Sequence, residues 1–393
     1  MIHKIKIKNF YSINKEQSIV FVDTNKNKNN SYLNSADQNL SKINMFVGSN
    51  ASGKTNALKA FSFLRWLICD SFQSLPETRL AYKNFFGSKN PSNIEVVFEI
   101  SSKIYTYNVE FTPERIIRES LITNELISER RSNKTNFVRE WIESENKYKL
   151  EYAGIVVPEV VLVRKNASIF AILGQFLDPL SIEIISYWSK IQTNIFESGY
   201  GGDNPFDLEI NLMQINQRTD EKNRIEKILQ KFDLGFHSLD IDVDITNDQN
   251  VETHSYKGAK EVHFFDGQKK TNDILYSSFG TKRLILIIRF ILNAITNQSP
   301  VILDEIDAYL HPEIIREIID MFVDSDIHSQ LIFTSHSHIT MTILDKSQIF
   351  LVEKNTTDGG TEILQLDGIK GVRSSDNYYT KYIAGAYGAI PRL

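Results

Sequence analysis

Gly48-Ser49-Asn50-Ala51-Ser52-Gly53-Lys54-Thr55 has the spacing G-x-x-x-x-G-K-T of a phosphate-binding P-loop. The flanking sequence supports that reading. Ile43-Asn44-Met45-Phe46-Val47 is apolar enough for a buried strand, and from Thr55 onward Leu58, Phe61, Leu64 and Ile68 fall on one face of a helix. Gly48 and Gly53 let the backbone turn with no Cβ in the way, so that successive N–H groups aim at phosphate oxygens. The helix N-terminus adds its positive dipole end. Lys54 would reach the β- and γ-phosphates, and the Thr55 hydroxyl would hold Mg²⁺.

Outward from the loop, Ile5 and Ile7 alternate with lysines, and Ile19-Val20-Phe21-Val22 gives a second strand signal. Thr24 to Leu40 is polar and Asn-rich and reads as an exposed loop. Past the P-loop helix, Ile94, Val96, Phe98 and Ile100 alternate, then Tyr105, Tyr107, Val109 and Phe111, with Ser101-Ser102-Lys103 between them as a hairpin turn. From about 113 to 235 helical patterns are more frequent. In Asp220–Phe232, for example, Ile225, Ile228, Leu229 and Phe232 share a face. Beyond residue 271 helices and buried strands alternate, as in a parallel sheet. The expected organisation is an N-terminal lobe (1–112) with the P-loop and an antiparallel β subdomain, an inserted helical or mixed lid or arm (113–270), and a C-terminal lobe (271–393).

A chain of 393 residues, 41% hydrophobic and 24% charged, has ample material for a globular core. Its net charge of −5 excludes a global basic field of the kind that binds nucleic acid in bulk. The single cysteine, Cys69, rules out an intramolecular disulfide, fits a reducing compartment and reads as a small apolar residue on the P-loop helix. The alternating Met1–Ile7 is no signal peptide, and the apolar stretch Leu284–Ile295 is broken by Arg289 and Asn293 and is too short to span a bilayer. A soluble, cytoplasmic protein without membrane partners is expected.

Val301-Ile302-Leu303-Asp304-Glu305 is a strand ending in two carboxylates, the form of a Walker B motif. Asp304 would hold Mg²⁺ opposite Thr55, and Glu305 would polarise the water that attacks the γ-phosphate. The alternative is a strand running into a solvated turn. Leu331-Ile332-Phe333-Thr334 is another buried strand, followed by Ser335-His336-Ser337-His338. His336 at its end is placed to contact the γ-phosphate or the attacking water, although a histidine in a turn can be merely solvated. Ser278-Phe279-Gly280-Thr281 opens an apolar helix with Leu284, Ile287 and Ile291. Its Ser278 and Gly280 are either a second anion site or simply a capped helix start.

These motifs in this order resemble the ABC-type ATPases of the RecF/SMC/OLD group, especially the stand-alone ATPases of bacterial phage-defence and abortive-infection systems. Ile7-Lys8-Asn9-Phe10-Tyr11-Ser12-Ile13 is similar to the group's opening strand, and the P-loop with Asn50, Ser52 and Asn56 is closer to this group's than to a transporter's. Asp304-Glu305-Ile306-Asp307-Ala308-Tyr309-Leu310-His311-Pro312 resembles its Walker B and D-loop, Phe333-Thr334-Ser335-His336-Ser337 its switch histidine, and Ser278 and Gly280 its signature, from which Phe279 and Thr281 depart. The ending Tyr382-Ile383-Ala384-Gly385-Ala386-Tyr387-Gly388-Ala389-Ile390-Pro391 is similar to that of several defence ATPases; its tyrosines either pack on the core or dock an effector.

The resemblance implies an α/β P-loop NTPase of ABC type that binds and hydrolyses ATP with Mg²⁺. In such a homodimer Ser278 and Gly280 complete the site of the opposite subunit. It also implies a separate effector, such as a nuclease or toxin, with DNA or a phage component as a further partner. Two departures stand out. No Q-loop glutamine can be placed, Gln73 and Gln175 being unconvincing, and the stretch after His336 is too short for the TOPRIM nuclease domain of the OLD enzymes. The rival roles are a RecF-like DNA repair ATPase, a transporter's nucleotide-binding subunit, and an ATP-binding scaffold that barely hydrolyses.

Overall fold

In the computed structural model, which describes residues 1–23, 31–127, 130–152, 164–196, 199–200, 205–232, 236–248, 251–323 and 327–389, the phase of the buried strands dictates the layering. Ile43–Val47, Pro300–Leu303 and Gln330–Thr334 are buried throughout, and their side chains alternate between two cores. Phe46, Ile302 and Ile332 face the first core. Met45, Val47, Val301, Leu303, Leu331 and Phe333 face the second. Strands covered on both faces belong to a parallel sheet. The sheet runs Gln192–Thr193, Pro300–Leu303, Gln330–Thr334, Ile43–Val47, Ile349–Lys354, Thr361–Gln365. All neighbours are parallel except the last pair.

The P-loop helix, Lys54–Cys69, fills the first core and is buried on nearly every side. On one side it meets the parallel sheet; on the other it meets a seven-stranded antiparallel sheet through Ile5, Ile7, Ile94, Val96 and Phe98. That second sheet contains the expected hairpin, Ser92–Ile100 with Lys103–Thr112, turned at Ser101 and Ser102, which have φ of 49° and 65°. Gln330 ties the two sheets together. Its buried amide accepts from Ile2 N at 3.1 Å and donates to the carbonyls of Ile2 and Ser41, each at 3.1 Å. Cys69 lies partly buried on this helix, its thiol pushed up to about 12 by burial, which keeps it an unreactive protonated thiol at neutral pH.

The inserted segment is less helical than its pattern implies. Arg115–Ile127, Arg130–Ile142 and Lys147–Tyr152 extend the antiparallel sheet, so no boundary falls at residue 112. The reason lies in what these strands turn inward: Glu119, Thr123, Asn136 and Arg139 are buried, and the period-2 apolar signal is lost. Glu119 and Arg139 form a fully buried ion pair at 2.6 Å. Glu119 also accepts from Tyr107 Oη at 2.8 Å and from Ile169 N at 3.0 Å, while Arg139 also donates to the carbonyls of Arg164 and Ala167. The rest of the insertion holds helices Ile169–Gly174, Pro179–Ser189, Pro205–Asn216 and Thr219–Phe232, and a three-stranded sheet, Phe236–Asp248, Val251–Phe265 and Gln268–Asp273. Ile225 and Leu229 of the expected helix are buried as its pattern requires.

Within the expected loop 24–40, residues 24–30 lie outside the described set, but Ser31–Leu33 pairs with Asn39–Ser41 as a short hairpin. Of the tail's tyrosines, Tyr378 and Tyr382 are buried in helix Tyr378–Ile383, Tyr387 is half-buried and Tyr379 is exposed; Ile390 and Pro391 lie outside the described residues. No helix among the described residues is long and apolar enough to cross a membrane.

Removing one member of a buried ion pair strands the other in low dielectric. Glu119→Ala is therefore expected to cost about 3–5 kcal/mol, measured by urea unfolding, far more than a substitution at exposed Glu140.

Candidate functional site

Three adjacent strands end at one place. Their order puts the C-terminal end of the switch strand (Gln330–Thr334) between those of the Walker B strand (Pro300–Leu303) and the P-loop strand (Ile43–Val47). A cavity of about 390 Å³ opens there, lined by Asn50, Ala51, Ser52, Gly53, Lys54, Thr55, Asn56, Asp304, Glu305 and His336. Every candidate P-loop residue but Gly48 is in that lining, as are both Walker B carboxylates and the switch histidine.

The loop's glycines are steric necessities. A Cβ on Gly48 would lie 2.0 Å from the carbonyl oxygen of Val352, and Gly53 sits at φ +108° against Thr361 and Ser12. Ser12 is held there by Asn56 Nδ2 at 2.8 Å and by Thr361 Oγ1 at 2.8 Å, so Asn56 braces the loop from behind. Lys54 is 6% exposed and folds back onto the loop, donating to the carbonyls of Gly48 at 2.8 Å and Ser49 at 3.1 Å. Burial depresses its pKa, against the pull of Asp304, Glu305 and Asp307. An ammonium held half-desolvated among carboxylates is suited to a polyanion that would satisfy it.

Opposite the loop, Asp304 is fixed from both sides. Its Oδ2 accepts from Thr55 Oγ1 at 2.7 Å and its Oδ1 from Thr334 Oγ1 at 2.5 Å. Thr334 also receives the Glu305 N–H at 2.7 Å. Glu305 has φ 50°, a left-handed conformation a glutamate adopts only under constraint, at a cost on the order of 1 kcal/mol. Its carboxylate meets His336 Nε2 at 3.4 Å, both side chains being about two-fifths exposed. The His336 N–H is anchored on Asp307 at 3.1 Å. Burial, then His336 and Lys54, holds His338 below its usual pKa.

The residues fit the groups the sequence implies. Ser52 Oγ is buried without a hydrogen-bond partner beside the loop, as an orphan acceptor-donor at a phosphate site would be. The Thr55 hydroxyl and Asp304 carboxylate are the hard oxygen donors Mg²⁺ takes, with its remaining positions left to phosphate and water. Among the described residues no group of three or more His, Cys, Asp or Glu side chains could hold a metal, so a protein-only cage is not offered.

Ser278 and Gly280 are not part of this lining. Ser278 caps helix Phe279–Asn297, its Oγ accepting from Thr281 N at 3.0 Å, and Gly280 lies so close to the Tyr309 carbonyl that a Cβ would come within 2.8 Å. Gln73 and Gln175 do not line the cavity either. Two residues the sequence reading missed do support it. Asn194 brackets Asp304, donating to its carbonyl at 2.9 Å and accepting from its N–H at 2.8 Å. Arg283, 3% exposed, donates to the carbonyls of Asp304 (3.2 Å) and Glu305. Thr334 carried a signal, being the one polar residue closing an apolar strand, but nothing in the sequence marks Asn194 or Arg283.

A family model described as "AAA domain, putative AbiEii toxin, Type IV TA system" matches residues 43–341, which span the site from P-loop strand to switch histidine. The chain belongs to this family. It is an ATPase-family protein of ABC type. "Retron Vc95 probable ATPase" of Vibrio cholerae serotype O1 biovar El Tor is 26% identical over 133 residues, 33% of this chain and 26% of the relative, so the match spans about a quarter of that protein. Three solved structures share the extent of the chain at low similarity. The Smc head bound to the C-winged helix domain of ScpA has a TM-score of 0.48 at 17% identity, covering 92% of this chain and 97% of that one. The SMC head domain from Thermotoga maritima scores 0.42 at 15% identity, covering 93% and 98%. An Smc head with an extended coiled coil, bound to the C-terminal domain of ScpA from Pyrococcus furiosus, scores 0.46 at 18% identity, covering 93% and 96%.

Arg283 steadies a strained Glu305 without touching the cavity. Arg283→Leu, which keeps the side chain's bulk, is expected to lower turnover about tenfold while nucleotide affinity changes less than about twofold. Phosphate-release kinetics alongside nucleotide titration separate the two.

Proposed function

We propose that this protein hydrolyses ATP with Mg²⁺ in a head-to-head homodimer, and that closing and opening of the dimer controls a separate effector, a nuclease or toxin, in antiviral defence in the cytoplasm. The observation that carries the reading is the division of the motifs. P-loop, Asp304, Glu305 and His336 line one cavity, while Ser278 and Gly280, at the head of their helix, lie outside it. A second copy would supply the missing wall. The retron ATPase relative and the AbiEii-type family description favour a defence role.

In this mechanism the P-loop N–H groups and Lys54 bind the triphosphate and neutralise its charge. Thr55 and Asp304 would hold Mg²⁺, which when bound offsets charge on the β- and γ-phosphate oxygens. Glu305 orients a water molecule and accepts its proton as the water oxygen bonds to the γ-phosphorus and the bond to the β,γ-bridging oxygen breaks. His336, within reach of Glu305, donates to the γ-phosphate. ADP and phosphate leave, the charge clamping the two copies is reduced, and the dimer opens. Each cycle would shift the inserted segments of the two copies relative to each other.

Glu305→Gln keeps the shape and removes the base. It is expected to cut phosphate release by about a hundredfold or more and to accumulate an ATP-bound dimer, read by light scattering after size exclusion. An unchanged rate would remove Glu305 from the mechanism. Lys54→Ala is expected to weaken ATP binding by at least about tenfold in a fluorescent-nucleotide titration, with no ATP-dependent change in mass.

A further inference from the structure

The P-loop is gripped from outside by the far end of the chain. After helix Tyr378–Ile383 the backbone passes through left-handed Gly385 (φ 78°), Gly388 (φ 72°) and Ala389 (φ 57°), which curl it back onto the loop. Ala389, 4% exposed, is the hub of this turn. Its carbonyl oxygen accepts from the Ser49 N–H of the P-loop at 3.2 Å and from Tyr382 Oη at 2.7 Å. Its own N–H donates to Glu353 Oε2 at 2.9 Å. Ser49 passes the constraint inward, since its carbonyl accepts from Lys54 Nζ at 3.1 Å and from Ser52 N at 3.2 Å. Ser49 is not in the cavity lining, so the tail holds the loop without occupying the place of a phosphate.

Tyr382 joins a second catalytic loop to the same hub. Its ring, 1% exposed, lies 4.8 Å from that of His338, two residues beyond His336. Burial pushes its hydroxyl up to about 12, so it remains a protonated donor across the physiological range. Nothing in the sequence distinguishes Tyr382 from the other three tyrosines of the tail; only the Ala389 contact does.

We propose that the segment Tyr382–Ala389 is a working part of the nucleotide site, and that Tyr382 is a positioning residue which, through the Ala389 carbonyl, holds the P-loop backbone at Ser49 in the form that receives a nucleoside triphosphate. This rests on the functional reading above and adds to it a route by which whatever displaces the tail lowers nucleotide affinity.

The test is Tyr382→Phe in the full chain, which keeps the ring against His338 and deletes only the hydroxyl. Dissociation constants come from titration with a fluorescent ATP analogue and Mg²⁺, and KM and kcat from phosphate release. The expected result is a Kd and KM raised roughly three- to tenfold, kcat within about twofold of wild type, and a Tm within about 3 °C. Tyr378→Phe, on the same helix and also buried but without the Ala389 contact, is expected to leave all of these unchanged. Wild-type affinity in Tyr382→Phe overturns the proposal, as does an equal loss in Tyr378→Phe. Should Tyr382→Phe not fold, Glu353→Gln, which weakens the support of the Ala389 N–H, carries the same expectation and the same refutation. A wild-type chain that binds no ATP defeats the functional reading and this inference together, whereas normal wild-type binding matched by Tyr382→Phe defeats this inference alone.

Discussion

The structure turns on one carboxylate held between two hydroxyls. Asp304 accepts from Thr55 at the head of the P-loop helix and from Thr334 at the end of the switch strand, and its backbone is bracketed by Asn194. Those bonds join the ends of four strands, so the parallel order of the sheet and the composition of the site are one constraint. Any slip of one strand by a residue would turn its apolar set to the wrong core and draw Asp304 away from Thr55. The two cores on either face of the sheet therefore fix the site as firmly as its own polar contacts do.

Electrostatics also shapes the loop. Lys54 is desolvated, and its nearest partners are loop carbonyls rather than carboxylates. Carbonyls offer only dipoles, so the ammonium remains under-compensated and a triphosphate gains more by meeting it than by meeting a solvated lysine. The acidic side is arranged differently. Asp304 is 1% exposed and accepts one hydroxyl on each oxygen, while Glu305 is left half open, in contact with a histidine and held in a strained backbone conformation. One carboxylate is fixed for binding and its neighbour kept accessible to water, a division that suits the two roles the motif requires.

The nucleotide core was legible in the sequence because its strands are buried on both faces and end in functional residues. Phe46, Ile302 and Ile332 keep phase with each other, and the P-loop, Asp304-Glu305 and His336 follow directly. The strands from 115 to 152 were not legible, because the positions turned inward carry Glu119, Thr123, Asn136 and Arg139, and a buried ion pair has no hydrophobic signature. The supporting residues Asn194 and Arg283 escaped for another reason. Each acts on backbone atoms of Asp304 or Glu305 across a long sequence separation, and contacts to backbone leave no complementary residue type for a pattern to reveal. Ser278 is two-sided in the sequence for a physical reason: a serine that caps its own helix looks the same as one that offers its hydroxyl to an anion.

Helix Phe279–Asn297 is the element through which the site and the insertion communicate. Ile287, Ile291 and Ala294 pack on the parallel sheet, and Leu284, Ile285, Ile288 and Leu292 pack on the insertion with Leu208, Leu212, Ile225 and Leu229. Two buried arginines mark its two sides. Arg283 donates to the Asp304 and Glu305 carbonyls, while Arg289 pairs with Glu221 at 3.1 Å and donates to Asn211 and Gln214. A helix with both stripes buried cannot rotate to relieve one without disturbing the other, because close-packed interiors transmit strain rather than absorb it. A shift of the Glu305 backbone would therefore be felt at Arg289 and the helices it holds. The segment between the P-loop and Ser278 stays tied to the parallel sheet, since one shared helix packs on both.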